Sequence, residues 1–160
     1  MSDMQTTLDG FWRFASQFCD EVQDFQPEVI LVLMHSARMP FFAGEALWLA
    51  VSSQPLAPMV FTNLGREKIT IFDETVQNPH GMTNCFIGNY ESLPSQAFFL
   101  VWLASKTDWL EELRGQVKAQ LGDIEPHRIL IVDEFIHEGS TAILTLGLLS
   151  LLYPKAKTRF

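Results

Sequence analysis

One stretch of the chain combines residue types that can hold a sugar phosphate. Four apolar residues, Ile129–Val132, are followed at once by two carboxylates, Asp133 and Glu134, and then by a loop that ends in Gly139, Ser140 and Thr141. The apolar run is typical of a buried strand, and a helix is predicted to follow the loop. Loop N–H groups at the start of a helix attract a phosphate dianion, and carboxylates accept hydrogen bonds from sugar hydroxyls. The stretch therefore predicts a site for a ribose 5-phosphate.

Two other interpretations of the same residues remain open. An acidic pair at the end of a strand also occurs in P-loop ATPases, but the G-x-x-x-x-G-K-[ST] sequence that would accompany it is absent from the chain. Ser140 and Thr141 can also serve as an ordinary N-cap for the following helix. Capping and phosphate binding do not exclude each other, because a hydroxyl at a helix start can do both.

The order of these residues resembles the PRPP-binding signature of type I phosphoribosyltransferases. That signature consists of four apolar residues, two acids, two apolar residues, two variable residues, and then Gly, a small residue and Thr or Ser. The chain has Ile-Leu-Ile-Val, Asp133-Glu134, Phe135-Ile136, His137-Glu138 and Gly139-Ser140-Thr141. The complete run matches in order, which is more specific than a lone glycine motif.

The resemblance implies a reaction in which a nitrogen base displaces pyrophosphate from C1 of PRPP, or the reverse reaction. It implies that Asp133 and Glu134 bind the ribose hydroxyls and contact Mg²⁺ directly or through water. His137 would lie near the base, where a neutral imidazole can accept a proton, although a solvated or structural histidine is the alternative. The 5-phosphate loop would be formed by Glu138, Gly139, Ser140 and Thr141.

Two further segments resemble parts of the same family site. His35, Ser36, Ala37 and Arg38 follow an apolar run, as the family's pyrophosphate loop does, although Arg38-Met39-Pro40 replaces the frequent Arg-Gly-Gly. Pro40 removes one N–H donor, and a surface arginine is the alternative interpretation of Arg38. Positions 62–94 correspond to the mobile lid of the family, in which Arg66 and Lys68 would clamp pyrophosphate.

Although the signature allows variation at the position of Glu138, the family usually has Thr or Ser there, so Glu138 is a departure from the usual pattern. A carboxylate directed into the loop would repel the phosphate. The alternative function is therefore a non-catalytic regulatory domain that senses PRPP or a nucleotide through a degenerate site. A scaffold that has kept only the fold is a third interpretation.

The pattern of apolar segments predicts an α/β fold of three layers with a mostly parallel sheet, as in the phosphoribosyltransferase family. Strands are predicted at Val29–Met34, Met59–Thr62, Ala97–Leu103, Arg128–Val132 and Ala156–Phe160, and helices at Leu8–Phe25, Phe41–Val51, Asp108–Leu121 and Ala142–Leu152. Within positions 62–94, the short apolar pieces Ile69–Phe72 and Cys85–Ile87 are predicted to pair as a β-hairpin. In parallel sheets ligands bind beyond the carboxyl ends of the strands, so the loops at 35–38 and 133–141 should open on the same edge.

Length and composition narrow the function classes. The 160 residues predict a single domain over 1–160. The resemblance implies a further strand and a base-selecting hood after the last helix. Ala156–Phe160 is interpreted as that strand, cut short, so we expect the hood to be N-terminal or absent. The net charge is −8, even though Lys155, Lys157 and Arg159 are clustered near one end. We therefore expect no nucleic-acid partner. We expect no membrane partner either, because no apolar run has the length of a membrane span.

Cellular location and assembly are further expectations. No signal-peptide pattern is present at the start, and Cys19 and Cys85 have no ligand-like spacing. We expect a cytoplasmic protein with reduced thiols. The resemblance implies Mg²⁺ as cofactor, a phosphorylated ribose as substrate and a homodimer.

Overall fold

The computed structural model describes residues 2–33, 38–77, 93–133 and 140–160, of which residues 2–7, 38–40, 66, 73–77, 93–98 and 140 are described by their backbone alone. The helices and strands of the described residues alternate as an α/β chain. In chain order they are α1 Ser2–Phe25, β1 Val29–Leu33, α2 Arg38–Val51, β2 Met59–Thr62, α3 Arg66–Gln77, α4 Leu93–Ala104, α5 Thr107–Leu121, β3 Arg128–Val132, α6 Ser140–Leu152 and β4 Lys157–Arg159.

The four strands form one parallel sheet in the order β2-β1-β3-β4. The central strands β1 and β3 are paired from Val29 with Ile129 to Val32 with Val132. Every residue of β1 is buried, as are four of the five residues of β3. Continuous apolar runs of this kind form strands that are covered on both faces.

Helices cover the two faces of the sheet, so the chain has three layers. Alternate residues of each strand point to opposite faces. Ile30, Val32, Leu130 and Val132 pack with residues of α1 and α2 in one core cluster. Their neighbours along β1 and β3 pack in a second cluster with residues of α3, α4, α5 and α6.

Two predicted β segments are helical. Ala97–Leu103 lies within α4, where Phe99 and Leu103 are buried. A short continuous apolar run does not distinguish a buried strand from a buried helix, and α4 is apolar enough to fit either. Helix α4 packs closely against α6, because a Cβ on Gly147 would lie 2.6 Å from Phe99 Cε1 and 2.7 Å from Leu103 Cδ2.

The predicted hairpin piece Ile69–Phe72 belongs to α3, which spans Arg66–Gln77. Ile69 and Phe72 are three residues apart, so a helix places both on the face that packs against the core. Gly65 precedes this helix with a φ of +75°, a conformation that glycine adopts without strain. The other predicted piece, Cys85–Ile87, lies outside the described residues.

The remaining predicted elements are found with shifts at their ends, of which the largest is at α1, which begins at Ser2 rather than Leu8. Helix α2 begins at Arg38 rather than Phe41, and α6 begins at Ser140 rather than Ala142. The last strand is confirmed as Lys157–Arg159. In the described part of the chain, no helix combines the length and apolar character that crossing a membrane requires.

Candidate functional site

The carboxyl ends of β1 and β3 lie next to each other at the centre of the sheet. From β1 the chain passes through α2 to β2 on one side, and from β3 it passes through α6 to β4 on the other side. The two helices therefore lie on opposite faces of the sheet. Where adjacent parallel strands send their connections in opposite directions, a crevice forms that is the usual ligand site of open α/β sheets. We call the region at the carboxyl ends of β1 and β3, beyond the paired Val32 and Val132, the β1/β3 crevice.

Asp133 is at the β1/β3 crevice, as the sequence predicts. It directly follows β3, one residue beyond the paired Val32 and Val132, and is half-buried. The strand that positions it is fully apolar at its carboxyl end, so the first polar side chain after the buried run occurs at the rim. A carboxylate at this point can accept hydrogen bonds from a bound hydroxyl.

The helices that follow β1 and β3 both begin at predicted site residues. Arg38 is the first residue of α2, and Ser140 is the first residue of α6. Thr141 is half-buried, and its carbonyl accepts a hydrogen bond from the Thr145 hydroxyl at 2.7 Å. The backbone thus brings the starts of two helices, with their N–H groups and positive dipole ends, to the ends of adjacent strands.

The rest of the predicted loop residues lie outside the described residues. In the loop after β3 these are Glu134, His137, Glu138 and Gly139, and in the loop after β1 they are His35, Ser36 and Ala37.

The predicted lid residues stand on a helix, because Arg66 is the first residue of α3 and Lys68 lies in its first turn. The Lys68 ammonium forms an ion pair with Glu112 of α5 at 2.8 Å. Its side chain is only 18% exposed. Lys68 therefore joins α3 to α5 in this conformation.

Sequence reasoning missed Thr62, which is the last residue of β2 and is paired with Leu33 of β1. Thr62 is 1% exposed, and within the described ranges its hydroxyl has no hydrogen-bond partner. A buried hydroxyl without a partner is costly. The available signal was a polar residue that ends an apolar strand at the same edge as Asp133.

Sequence reasoning also missed a wall of the site that comes from α1. A pocket of about 420 Å³ lies between α1 and β3 and reaches Asp133. Its lining consists of Phe14, Gln17, Phe18, Glu21, Leu130, Ile131, Val132, Asp133 and Phe160. The four α1 residues follow the spacing i, i+3, i+4, i+7, which places them on one helix face. That spacing was visible in the sequence, but the strand that this face covers was not.

Arg159 fixes one side of this pocket. Its Nη1 donates hydrogen bonds to Asp24 at 2.5 Å and to Glu21 at 3.0 Å. Its guanidinium also lies over the Phe25 ring, 4.9 Å from the ring centroid. The hydrogen bonds to Asp24 and Glu21 raise the pKa of Arg159 above its ordinary value. Strand β4 is thereby tied to α1 on the side of the pocket where Phe160 lies.

The chain was compared with protein-family models, with curated proteins and with solved structures, and no match was found in any of the three.

Proposed function

We propose that the chain binds PRPP or a nucleoside monophosphate in the β1/β3 crevice and transfers the phosphoribosyl group to or from a nitrogen base. The observation that supports this most strongly is the pairing of β1 with β3 up to Val32 and Val132, which places the carboxyl ends of these two strands side by side. The helices that follow these strands begin at Arg38 and Ser140. The sheet is parallel. That the fold is like that of type I phosphoribosyltransferases is part of the proposal.

Each part of the crevice has a role in the proposal. The N-terminal end of α6, with the loop before it, holds the 5-phosphate through N–H groups. Asp133 and Glu134 hold the ribose hydroxyls. The loop that leads into α2 holds the pyrophosphate, whose negative charge is favoured near Arg38 and the positive end of that helix.

In the reaction, the bond between C1 and the pyrophosphate oxygen breaks, and a bond between C1 and the base nitrogen forms. The bonding electrons leave with pyrophosphate, the base nitrogen supplies the new pair, and the proton of that nitrogen passes to a general base, the role that the resemblance gives to His137. Positive charge develops on the ribose ring between these events. A carboxylate held at the strand end, as Asp133 is, would stabilise that charge with little reorganisation, which is the usual source of a large rate gain.

Mg²⁺ fits the donor set of the crevice. This ion is typically bound by one or two carboxylates together with substrate phosphates, and Asp133 supplies one hard oxygen ligand at the rim. Within the described ranges, no three metal-ligating side chains are clustered. Mg²⁺ would therefore arrive with the diphosphate, whose leaving charge it neutralises.

A second candidate function is a regulatory domain that binds the same ligand without turnover. Two observations favour it. Glu138 replaces the usual hydroxyl residue of the phosphate loop, and the Lys68 ammonium forms an ion pair with Glu112 of α5. Both candidates predict binding, and only the transferase predicts release of pyrophosphate.

Thermal unfolding with ligand tests the shared part of the proposal. Ribose 5-phosphate or adenosine monophosphate with Mg²⁺ should raise the Tm, because a ligand of the folded state stabilises it by mass action. The double variant Asp133→Asn with Glu134→Gln should lose this shift. A matched control changes Asp123→Asn with Glu125→Gln. These two exposed carboxylates precede β3, at the amino end of the strand and away from the crevice.

The outcome separates the candidates. If the crevice variant responds to ligand as the parent does, the acidic pair is not the sugar site. If ligand binds, release of pyrophosphate from PRPP in the presence of nitrogen bases identifies a transferase, and its absence across purine and pyrimidine bases identifies a sensor.

A further inference from the structure

The pocket between α1 and β3 reaches Asp133, the residue that follows β3 at the β1/β3 crevice. It has a volume of about 420 Å³, which is within the range of about 300–1,000 Å³ found for small-molecule sites. It runs from Asp133 along the side of β3 that faces α1, so a ligand held at Asp133 can extend into it.

Aromatic rings form much of the pocket wall. The Phe14 and Phe18 rings are nearly parallel, with an interplanar angle of 13° and centroids 6.4 Å apart. Phe160 contributes a third ring and is 38% exposed. Flat apolar walls of this kind favour a planar ring over a flexible or highly hydrated group.

The polar groups of the pocket are mostly acceptors. Glu21 and Asp133 are carboxylates, which when ionised only accept hydrogen bonds, and Gln17 adds an amide from the exposed side of α1. Their negative charge disfavours a second phosphate or an anionic ring. It favours a ring that carries N–H donors.

Arg159 reduces the negative charge at Glu21, so the pocket can bind an uncharged ring that carries N–H donors. Because Arg159 donates a hydrogen bond to Glu21 at 3.0 Å, it offsets part of the Glu21 charge and holds that carboxylate in one position. A fixed acceptor of reduced charge suits a neutral N–H donor better than a freely rotating carboxylate would.

From these observations we propose that the pocket binds the planar, amino-bearing ring of a nucleotide base, with Gln17 and Glu21 as the residues that select it. The proposal rests on the proposed function, because the ring is joined to the ribose that Asp133 holds. It goes beyond that function by naming the class of base and the helix that selects it.

A pair of ligands tests the pocket by itself. Adenosine monophosphate and ribose 5-phosphate share the sugar phosphate and differ by the base. In calorimetric titrations with Mg²⁺, the parent protein should bind adenosine monophosphate at least about tenfold more tightly, a difference of about 1.4 kcal/mol. Equal affinities would overturn the pocket proposal and leave the proposed phosphate site intact.

A pair of variants locates the ring. Gln17→Trp fills the pocket from an exposed position, and Gln23→Trp places the same ring on an exposed position of α1 outside the pocket. Only Gln17→Trp should weaken the binding of adenosine monophosphate, to about the affinity of ribose 5-phosphate. The affinity for ribose 5-phosphate should change less than about twofold in either variant. If both variants weaken adenosine monophosphate equally, or neither does, the base lies elsewhere.

A charge variant tests the selection. Glu21→Gln keeps the shape of the side chain and adds a donor, so the preference for adenosine monophosphate over inosine monophosphate should fall severalfold. An unchanged preference would overturn the role of Glu21.

The pocket and the proposed function can fail separately. If adenosine binds and Gln17→Trp weakens its binding, while ribose 5-phosphate does not bind, the pocket proposal stands and the proposed function fails. If no ligand binds, both fail.

Discussion

The side-chain amide of Gln120 forms hydrogen bonds with the backbone of Phe61 in the way that the backbone of a neighbouring strand would. The Phe61 N–H donates to Gln120 Oε1 at 3.0 Å, and Gln120 Nε2 donates to the Phe61 carbonyl at 3.1 Å. One helical turn earlier, Gln116 makes the same two bonds to Asn63, at 3.0 and 3.2 Å. Four helical residues rise about 6 Å, and two strand residues rise about 6.6 Å, so the two amides match the strand repeat. Helix α5 therefore closes the β2 edge of the sheet.

Removing both amides should destabilise the protein and expose this edge. For Gln116→Ala with Gln120→Ala, we expect the free energy of unfolding to fall by about 1–2 kcal/mol, because each lost hydrogen bond contributes a modest net amount. We also expect self-association, since an open edge strand pairs with other chains. Denaturant unfolding and light scattering measure the two effects.

The control for this change is Gln23→Ala, which alters an exposed glutamine of α1. It should leave the free energy of unfolding within about 0.5 kcal/mol of the parent value, as surface substitutions usually do. If the double variant and this control unfold at the same denaturant concentration, the amides of α5 do not stabilise β2.

Two glycines in helices should respond in opposite directions to alanine. A Cβ at Gly44 of α2 would lie 2.6 Å from Cδ1 of Phe18, a buried ring that also contacts Phe41 edge-on. Gly44→Ala should therefore destabilise the protein by about 1–3 kcal/mol, the usual cost of overpacking.

Gly115 is the matched control for Gly44. It lies inside α5, and a Cβ built there meets no described atom within 4 Å. Gly115→Ala should raise the free energy of unfolding by about 0.5–1 kcal/mol, because alanine is the better helix former. Thermal unfolding of both variants measures the contrast. Stabilisation by Gly44→Ala would show that α1 and α2 are farther apart than described here.

The sequence predicted the centre of the fold better than its periphery. Ile129–Val132 was recognised as a strand because its apolar run is bounded by Arg128 and by Asp133, which marks the carboxyl end. The run Ala97–Leu103 is equally apolar but lies in α4. In the fold it packs against Gly147, which is distant in the sequence, and an apolar run by itself does not distinguish a buried strand from a buried helix.

The same limit applies to the candidate site. Asp133 was predicted at a strand end because an acid directly follows a buried run. Gln17 and Glu21 were missed because their place at the pocket depends on where α1 packs, which a helical spacing does not specify. Thr62 was missed because its burial follows from packing between β1 and the helices rather than from its neighbours in the chain.

Cys19 should make stability depend on alkaline pH. Burial, and secondly the nearby Asp20 carboxylate, raise the pKa of the Cys19 thiol above its ordinary value of 9.0. Above about pH 9 the unfolded chain releases a thiol proton that the folded state keeps. The contribution of this thiol to stability is therefore complete below the ordinary pKa of 9.0 and decreases as the pH rises above it. The free energy of unfolding of the parent should fall between about pH 9 and 10 by more than that of Cys19→Ala.

Thiol reactivity gives an independent measurement. In a Cys85→Ser background, Cys19 should react with a thiol reagent at pH 8 much more slowly than the same thiol in the unfolded chain, since the thiolate is the reactive form. Equal rates in the folded and unfolded protein would show that Cys19 is accessible and not raised in pKa.

Glu138 provides the prediction that separates an enzyme from a sensor. It replaces a hydroxyl residue in the sequence that leads to α6. If its carboxylate lay about 4–5 Å from a bound phosphate, repulsion at an effective dielectric of about 20 would be on the order of 3–4 kcal/mol per unit charge. That is more than a hundredfold in affinity, because about 1.4 kcal/mol corresponds to a factor of ten. Glu138→Thr should therefore tighten the binding of Mg²⁺-PRPP in a calorimetric titration, and Glu125→Gln, at the opposite edge, should not. Equal affinities of parent and Glu138→Thr would show that Glu138 does not face the phosphate, and would favour an active transferase over a sensor.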